Sequence, residues 1–96
     1  MANYNLSQPA EIDLEDIFDY SYDQFGIDQA IAYQNQLFDT LGRPGNFPES
    51  GISRDDIRKG LRFTISGGHI IFYRLKKQEV FILRILHHSR DVKKYL

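Results

Sequence analysis

The residues whose types could do chemistry crowd the C-terminal end of this chain. Arg84, His87, His88, Arg90, Lys93, Lys94 and Tyr95 follow one another within a short stretch. Histidine and tyrosine can transfer protons, while arginine and lysine can hold negative charge that develops on a reacting centre. Other chemistry is excluded by composition. There is no cysteine, so disulfides, thiolate metal sites and cysteine nucleophiles are absent. His87 and His88 are neighbours at the end of an expected strand, where successive side chains point to opposite faces, so they are not expected to share a metal ion. No cofactor is expected. Tyr22, Tyr33 and Tyr73 are expected to be core residues with a wet hydroxyl.

Two apolar segments must position these groups. Gly68-His69-Ile70-Ile71-Phe72-Tyr73-Arg74 and Val80-Phe81-Ile82-Leu83-Arg84-Ile85-Leu86-His87-His88 are rich in β-branched and aromatic residues and are joined by the polar link Lys76-Lys77-Gln78-Glu79. They are expected to form paired central strands. Strict alternation puts Ile70, Phe72 and Arg74 on one face of the first strand, with Ile71, Tyr73 and Leu75 on the other. It groups Val80, Ile82, Arg84 and Leu86 on one face of the second, opposite Phe81, Leu83, Ile85 and His87. Both faces are apolar, and the chain's helices can cover one. The other is expected to be left for a partner. Arg74 and Arg84 sit mid-strand among apolar residues, where an unpaired charge is costly. Two partners are open to each: Glu11, Asp13 or Asp16 of the same chain, or an acidic segment of another protein, whose carboxylates suit the planar guanidinium fork.

The remaining elements fit around this hairpin. Tyr4-Asn5-Leu6 is long enough only for an edge strand. Ser7 is placed to cap a helix with Pro9 in its first turn, and Ala10, Leu14, Ile17, Phe18, Ser21 and Phe25 make its apolar stripe. Gly26 is expected to end that helix and Asp28 to cap the next, whose stripe is Ala30, Ile31, Tyr33 or Gln34, Leu37, Phe38 and Leu41. The spacing thus predicts a helical hairpin over about 8–41, and the Gly- and Pro-rich stretch 42–53 a loop. Arg54–Arg58 can make one helical turn, Leu61–Ile65 alternates as a strand, and Ser66-Gly67-Gly68 is a hairpin turn. The expected fold is α+β with the order β-α-α-β-β-β: an N-terminal edge strand, an antiparallel helical hairpin, then a three-stranded antiparallel sheet over about 61–88. One domain spans 1–96, and its basic tail, 89–96, is expected to dock through Tyr95 and Leu96.

Charge narrows the function classes. Residues 1–42 carry eight acids and no Lys or Arg, while 43–96 carry twelve basic residues against five acids, giving −8 and +7. Either the halves fold on each other or the basic half faces an anionic partner. The absence of a helix-turn-helix signature, a Cys/His finger and an RNP-like aromatic motif argues against direct nucleic-acid binding by base readout. The start of the chain, Met1–Leu6, lacks the blocks of a signal peptide and no run approaches a membrane span, so a cytoplasmic protein is expected.

Four motifs, in order, carry a family resemblance: Asp13-Leu14-Glu15-Asp16-Ile17, Arg58-Lys59-Gly60-Leu61-Arg62, Gly68-His69-Ile70-Ile71-Phe72-Tyr73-Arg74 and Arg84-Ile85-Leu86-His87. Together they resemble the ParE toxins of the RelE/ParE superfamily over nearly the whole chain. The resemblance implies a helical hairpin on a small antiparallel sheet and a type II toxin in a hetero-oligomer with its cognate protein antitoxin. It also implies that the released toxin acts on DNA gyrase, binding it and trapping its covalent cleavage complex with DNA. No hydrolytic centre of the toxin's own is then needed. Target-binding candidates are His69, Arg74, His87, His88, Arg90, Lys93, Lys94 and Tyr95; antitoxin-binding candidates are Arg62, Phe72, Arg74, Phe81 and Arg84. One departure from the ParE pattern is Arg90, where methionine is more usual.

The RelE-like branch offers the alternative: a ribosome-dependent, metal-free endoribonuclease in which the RNA 2′-hydroxyl attacks the neighbouring phosphate. Arg84, His87, Arg90 and Tyr95 would then be catalytic. A toxin fold with a changed target is a further alternative. An antitoxin segment that lays apolar anchors on the sheet and acids against its arginines would make the complex more stable than the toxin alone.

Overall fold

A computed structural model describes residues 4–46, 50–77 and 79–96. The expected start at Met1–Asn3, residues 47–49 of the expected loop and Gln78 of the expected strand link lie outside these. The elements run β1 (Tyr4–Leu6), α1 (Gln8–Phe25), α2 (Ile27–Asn46), β2 (Ile52–Ser53), β3 (Leu61–Ser66), β4 (His69–Lys76), β5 (Glu79–His87) and α3 (Val92–Tyr95). The expected helical hairpin and central strands are present, and β1 is the expected edge strand.

Local chemistry accounts for the helix boundaries. Ser7 has extended backbone and its Oγ accepts from the Ala10 amide at 3.1 Å, the geometry of an N-cap. α1 ends at Gly26, whose N–H donates to the Tyr22 carbonyl. Two expectations for α2 need correction. The helix runs on to Asn46, so 42–46 is helical and not loop, with Pro44 inside the last turn. A proline there forfeits one helical hydrogen bond, but its ring is fully buried, and that burial offsets the loss. The apolar stripes are also wider than the contact they make. Ala10, Ala30, Leu37 and Leu41 are buried, whereas Phe25 is 67% exposed and Ile31 and Phe38 also face solvent. Every residue from 22 to 29 is exposed, so the tip of the hairpin has nothing to pack against.

The sheet has five strands in the order β1-β5-β4-β3-β2, two more than the expected three-stranded core. β1 joins β5 in parallel, pairing Tyr4 with Val80 and Leu6 with Ile82. β2, inside the expected loop, pairs Ile52 with Phe63. Its position is set by Tyr73, whose buried hydroxyl accepts from the Gly51 amide at 2.9 Å. A Cβ on residue 51 would run into that hydroxyl, so the close approach requires glycine. Arg62 secures the same loop by donating to the Gly51 carbonyl at 2.8 Å.

The register departs from strict alternation at one place. Phe72 pairs with Arg84 but Tyr73 pairs with Ile82, so Leu83 is the extra residue of a bulge. One extra residue reverses the parity of everything beyond it. Val80 and Ile82 therefore share the helical face with Ile71, Tyr73 and Ile85, and are not grouped with Arg84 and Leu86. The core lies on that face, built with Ala10, Leu37 and Leu41 from the helices.

The outer face is better supplied than the sequence suggests. Leu61, Phe72 and Leu86 are buried there beneath Ile57 and the tail residues Val92, Tyr95 and Leu96. The tail docks, as its Tyr and Leu imply. Residues 54–58 close a single hydrogen-bonded turn, Ile57 N to Arg54 O at 3.0 Å, which lowers Ile57 onto the same cluster.

Candidate functional site

The site grows from an unfinished strand edge. β1 covers only residues 80–82 of β5, so the backbone groups of 83–87 on that side need other partners. The start of α1 supplies them. Ser7 N donates to Ile82 O at 2.9 Å, and Ser7 Oγ donates to Leu83 O at 2.7 Å. Six residues on, Asp13 accepts from the Ile85 amide at 2.9 Å and takes the Arg84 fork through Nε and Nη2 at 2.8 and 2.9 Å. One carboxylate thus satisfies three donors at a nearly buried position. Its hydrogen bonds and charge hold Arg84 in the protonated form, raising a guanidinium pKa that is already high.

The ion pair fixes what lies over it. Arg84 carries the Tyr95 ring at 5.3 Å from its centroid, and Arg90 approaches the same ring at 5.6 Å while donating to the Tyr95 hydroxyl at 3.0 Å. Such cation–aromatic contacts contribute roughly 0.5–1 kcal/mol each at exposed sites. The tail turns back because Asp91 caps α3, accepting from Lys93 N at 3.2 Å. Between α1 and this tail opens a cleft of about 680 Å³, with Asp13, Asp16 and Tyr20 on the helical wall and Arg84, Arg90 and Tyr95 opposite.

The cleft ends at histidines. His69 and His87 are register partners with rings 5.5 Å apart, edge to face. The Tyr33 hydroxyl lies 2.5 Å from His69 Nδ1 and 3.2 Å from the Ser66 carbonyl. A carbonyl can only accept, so both contacts are met when Tyr33 donates to Ser66 and His69 donates from Nδ1, leaving His69 Nε2 as an acceptor. Burial, and next the nearby His87 and His88, push the His69 pKa below its ordinary value, with Asp13 opposing. His87 is anchored by Ser89, Nδ1 to Oγ at 2.7 Å.

The expected site residues are thereby sorted. His69, Arg84, His87, Arg90 and Tyr95 meet in the cleft. Lys93 and Lys94 are exposed on α3, outside its lining. His88 does not point opposite to His87, as alternation requires within a strand. Their rings lie 4.3 Å apart, because His88 belongs to the turn after β5. No group of three potential ligands able to hold a metal occurs among the described residues. Phe72 is 1% exposed beneath the tail and offers no surface to a partner. Arg84 is committed to Asp13, the within-chain alternative. Arg74 and Phe81 lie together on the outer face, as register partners. The sequence offered Asp13 only as one of three acids of α1 open to Arg84. Its spacing, three from Ala10 and four from Ile17, was the signal that it borders the buried stripe.

Comparison with known proteins agrees with this architecture. A family model described as the ParE toxin of the type II toxin-antitoxin system parDE matches residues 4–92. Toxin ParE1 of Caulobacter vibrioides is 36% identical over 96 residues, covering 100% of this chain and 99% of that protein. Toxin ParE1 of Mycobacterium tuberculosis is also 36% identical over 96 residues, covering 99% of this chain and 98% of the relative. Among solved structures, a chain from the chromosomal ParDE system of P. aeruginosa shares the fold with a TM-score of 0.78 at 21% identity, over 91% of this chain and 96% of that one. The helical hairpin and the sheet are therefore the fold of a ParE toxin of the type II toxin–antitoxin systems, the family to which this chain belongs.

Proposed function

We propose that this toxin inhibits DNA gyrase by binding it and trapping its cleavage complex with DNA, and that a protein antitoxin holds it inactive in a hetero-oligomer. A gyrase target goes with a cytoplasmic location. The observation that carries a binding mechanism over a hydrolytic one is the Arg84–Asp13 pair. A ribonuclease centre needs free cations to bind the phosphate of the transition state. Here Arg84 gives its Nε and Nη2 to Asp13, and the two acids that line the cleft, Asp13 and Asp16, balance its two arginines, Arg84 and Arg90, leaving no net positive charge there to hold RNA. The charges exposed outside the cleft are those of Lys93 and Lys94 on the tail, which suit docking onto a larger surface.

The ribonuclease reading has one observation in its favour: Arg84, His87, Arg90 and Tyr95 share the cleft. A supercoiling and DNA-cleavage assay with gyrase, run beside a ribosome-dependent mRNA cleavage assay on the same preparation, separates the two. Gyrase-dependent linear plasmid, suppressed by antitoxin, is the expected result. Cut mRNA with gyrase unaffected would establish the alternative and make those four residues catalytic.

A further inference from the structure

Ser89 lies exposed in the turn after β5 and lines the cleft together with His87 and Arg90. Its hydroxyl meets His87 Nδ1 at 2.7 Å, and its backbone N–H donates to the same nitrogen at 3.3 Å. An amide can only donate, so His87 Nδ1 presents a lone pair and the neutral ring keeps its proton on Nε2. The Ser89 hydroxyl therefore donates to Nδ1, and Oγ keeps its own lone pairs for an electrophile. Two neighbours pack on the His87 ring and restrain it, His69 edge to face at 5.5 Å and His88 at 4.3 Å. Among the described residues no other serine or threonine hydroxyl meets an imidazole; Ser7 and Thr40 donate to backbone carbonyls instead. A hydroxyl within hydrogen-bond reach of an imidazole lone pair is the arrangement of an activated nucleophile.

We propose that Ser89 is an acylation site, its hydroxyl accepting the acyl group of an activated ester with His87 as the base. The inference goes beyond the gyrase reading and does not depend on it. Ser89 Oγ attacks the ester carbonyl carbon while its proton passes to His87 Nδ1. The bond from that carbon to the leaving oxygen then breaks, and the leaving group takes the proton from His87, so the products are a Ser89 ester and a free alcohol. Arg90, next in the chain and on the cleft wall, offers positive charge to the carbonyl oxygen as it becomes an oxyanion. The cleft selects the donor. Its acids and arginines balance, so a phosphate gains no net attraction there, whereas Ile17, Tyr20, Leu86 and Tyr95 on its walls suit a neutral aryl or short aliphatic group. Its volume of about 680 Å³ is that of a small-molecule site.

The test incubates the full chain with 4-nitrophenyl acetate, follows release of nitrophenolate by absorbance and locates the acetyl group by peptide mass spectrometry. The acetyl group should be retained as an ester on Ser89. Ser89→Ala should lose that ester, and His87→Gln, which keeps the hydroxyl and removes the base, should form it about 100-fold more slowly, the low end of what a positioned base contributes. Both positions are exposed, so both variants should melt close to wild type, which separates lost chemistry from lost folding. 4-Nitrophenyl phosphate under the same conditions should leave Ser89 unmodified; a phosphate ester there would overturn the choice of an acyl donor. Acetyl groups confined to lysines, or a Ser89 ester formed as fast in His87→Gln as in wild type, would overturn the inference itself. Neither outcome touches the gyrase reading, which the supercoiling assay tests separately.

Discussion

Two arginines on adjacent strands, each placed by the sequence among apolar neighbours, end in opposite circumstances. At the edge of β5 Arg84 is met by a carboxylate that also closes the strand's orphan amide, and its flat face supports the tail. On β4 the buried Nε of Arg74 has no acceptor among the described residues. The difference is one of what packs alongside. α1 crosses the β5 edge and can lower Asp13 into it, while Arg74 lies on the outer face between Leu61 and Phe81. The seam is thus a self-contained polar network, and the outer face is incomplete by itself.

The largest effect should come from breaking the complete half of this comparison. Asp13→Ala strands the Arg84 charge and the Ile85 amide together; loss of one partner from a fully buried pair typically costs about 3–5 kcal/mol, and this part-buried pair should fall toward the lower end of that range. Chemical denaturation should show a loss of that order, with Arg84→Met in the same background recovering much of it. A loss under ~1 kcal/mol would mean that water replaces Asp13 and that the seam is looser than its distances indicate.

An intermediate effect should appear with pH. His69 is held more neutral in the folded chain than in the unfolded one, first by burial and then by His87 and His88. The unfolded state therefore binds more protons, and stability rises with pH across that interval. The contribution is complete above about 6.5, the ordinary value for histidine. It is lost as the pH falls through the lower folded value. Melting temperature should decline between pH 7.5 and 5.5, and His69→Gln should flatten the decline; an equal slope in the variant would reassign it to other groups.

The smallest effect on stability should come from Arg90→Ala. It removes an exposed contact with Tyr95 worth about 0.5–1 kcal/mol. Gyrase inhibition should nevertheless fall clearly if the tail is the docking surface, and undiminished inhibition would move that surface elsewhere. A small change in stability with a large one in activity would set the tail apart from the seam beneath it.

The sequence by itself determined the local elements. The Ser7 cap, the helical stripes around Ala10 and Leu37, the Gly67 turn and the two central strands follow from short-range periodicity and turn chemistry. These act over a few residues and so leave a direct trace in residue order. The ParE motifs likewise carried the family. What only the tertiary structure decided depends on contacts between distant residues. The bulge at Leu83 reversed the face of Val80 and Ile82, because one unpaired residue shifts parity without any mark in composition. Asp13 and Arg84 are 71 positions apart. Which of several acids on α1 reaches the strand edge is set by how the helix crosses β5, and residue spacing along the helix cannot fix that crossing. The same holds for the tail. Its Tyr95 and Leu96 announced that it docks, but its landing on the outer face, covering Phe72 and stopping short of Arg74, is a matter of where the sheet presents an open apolar surface.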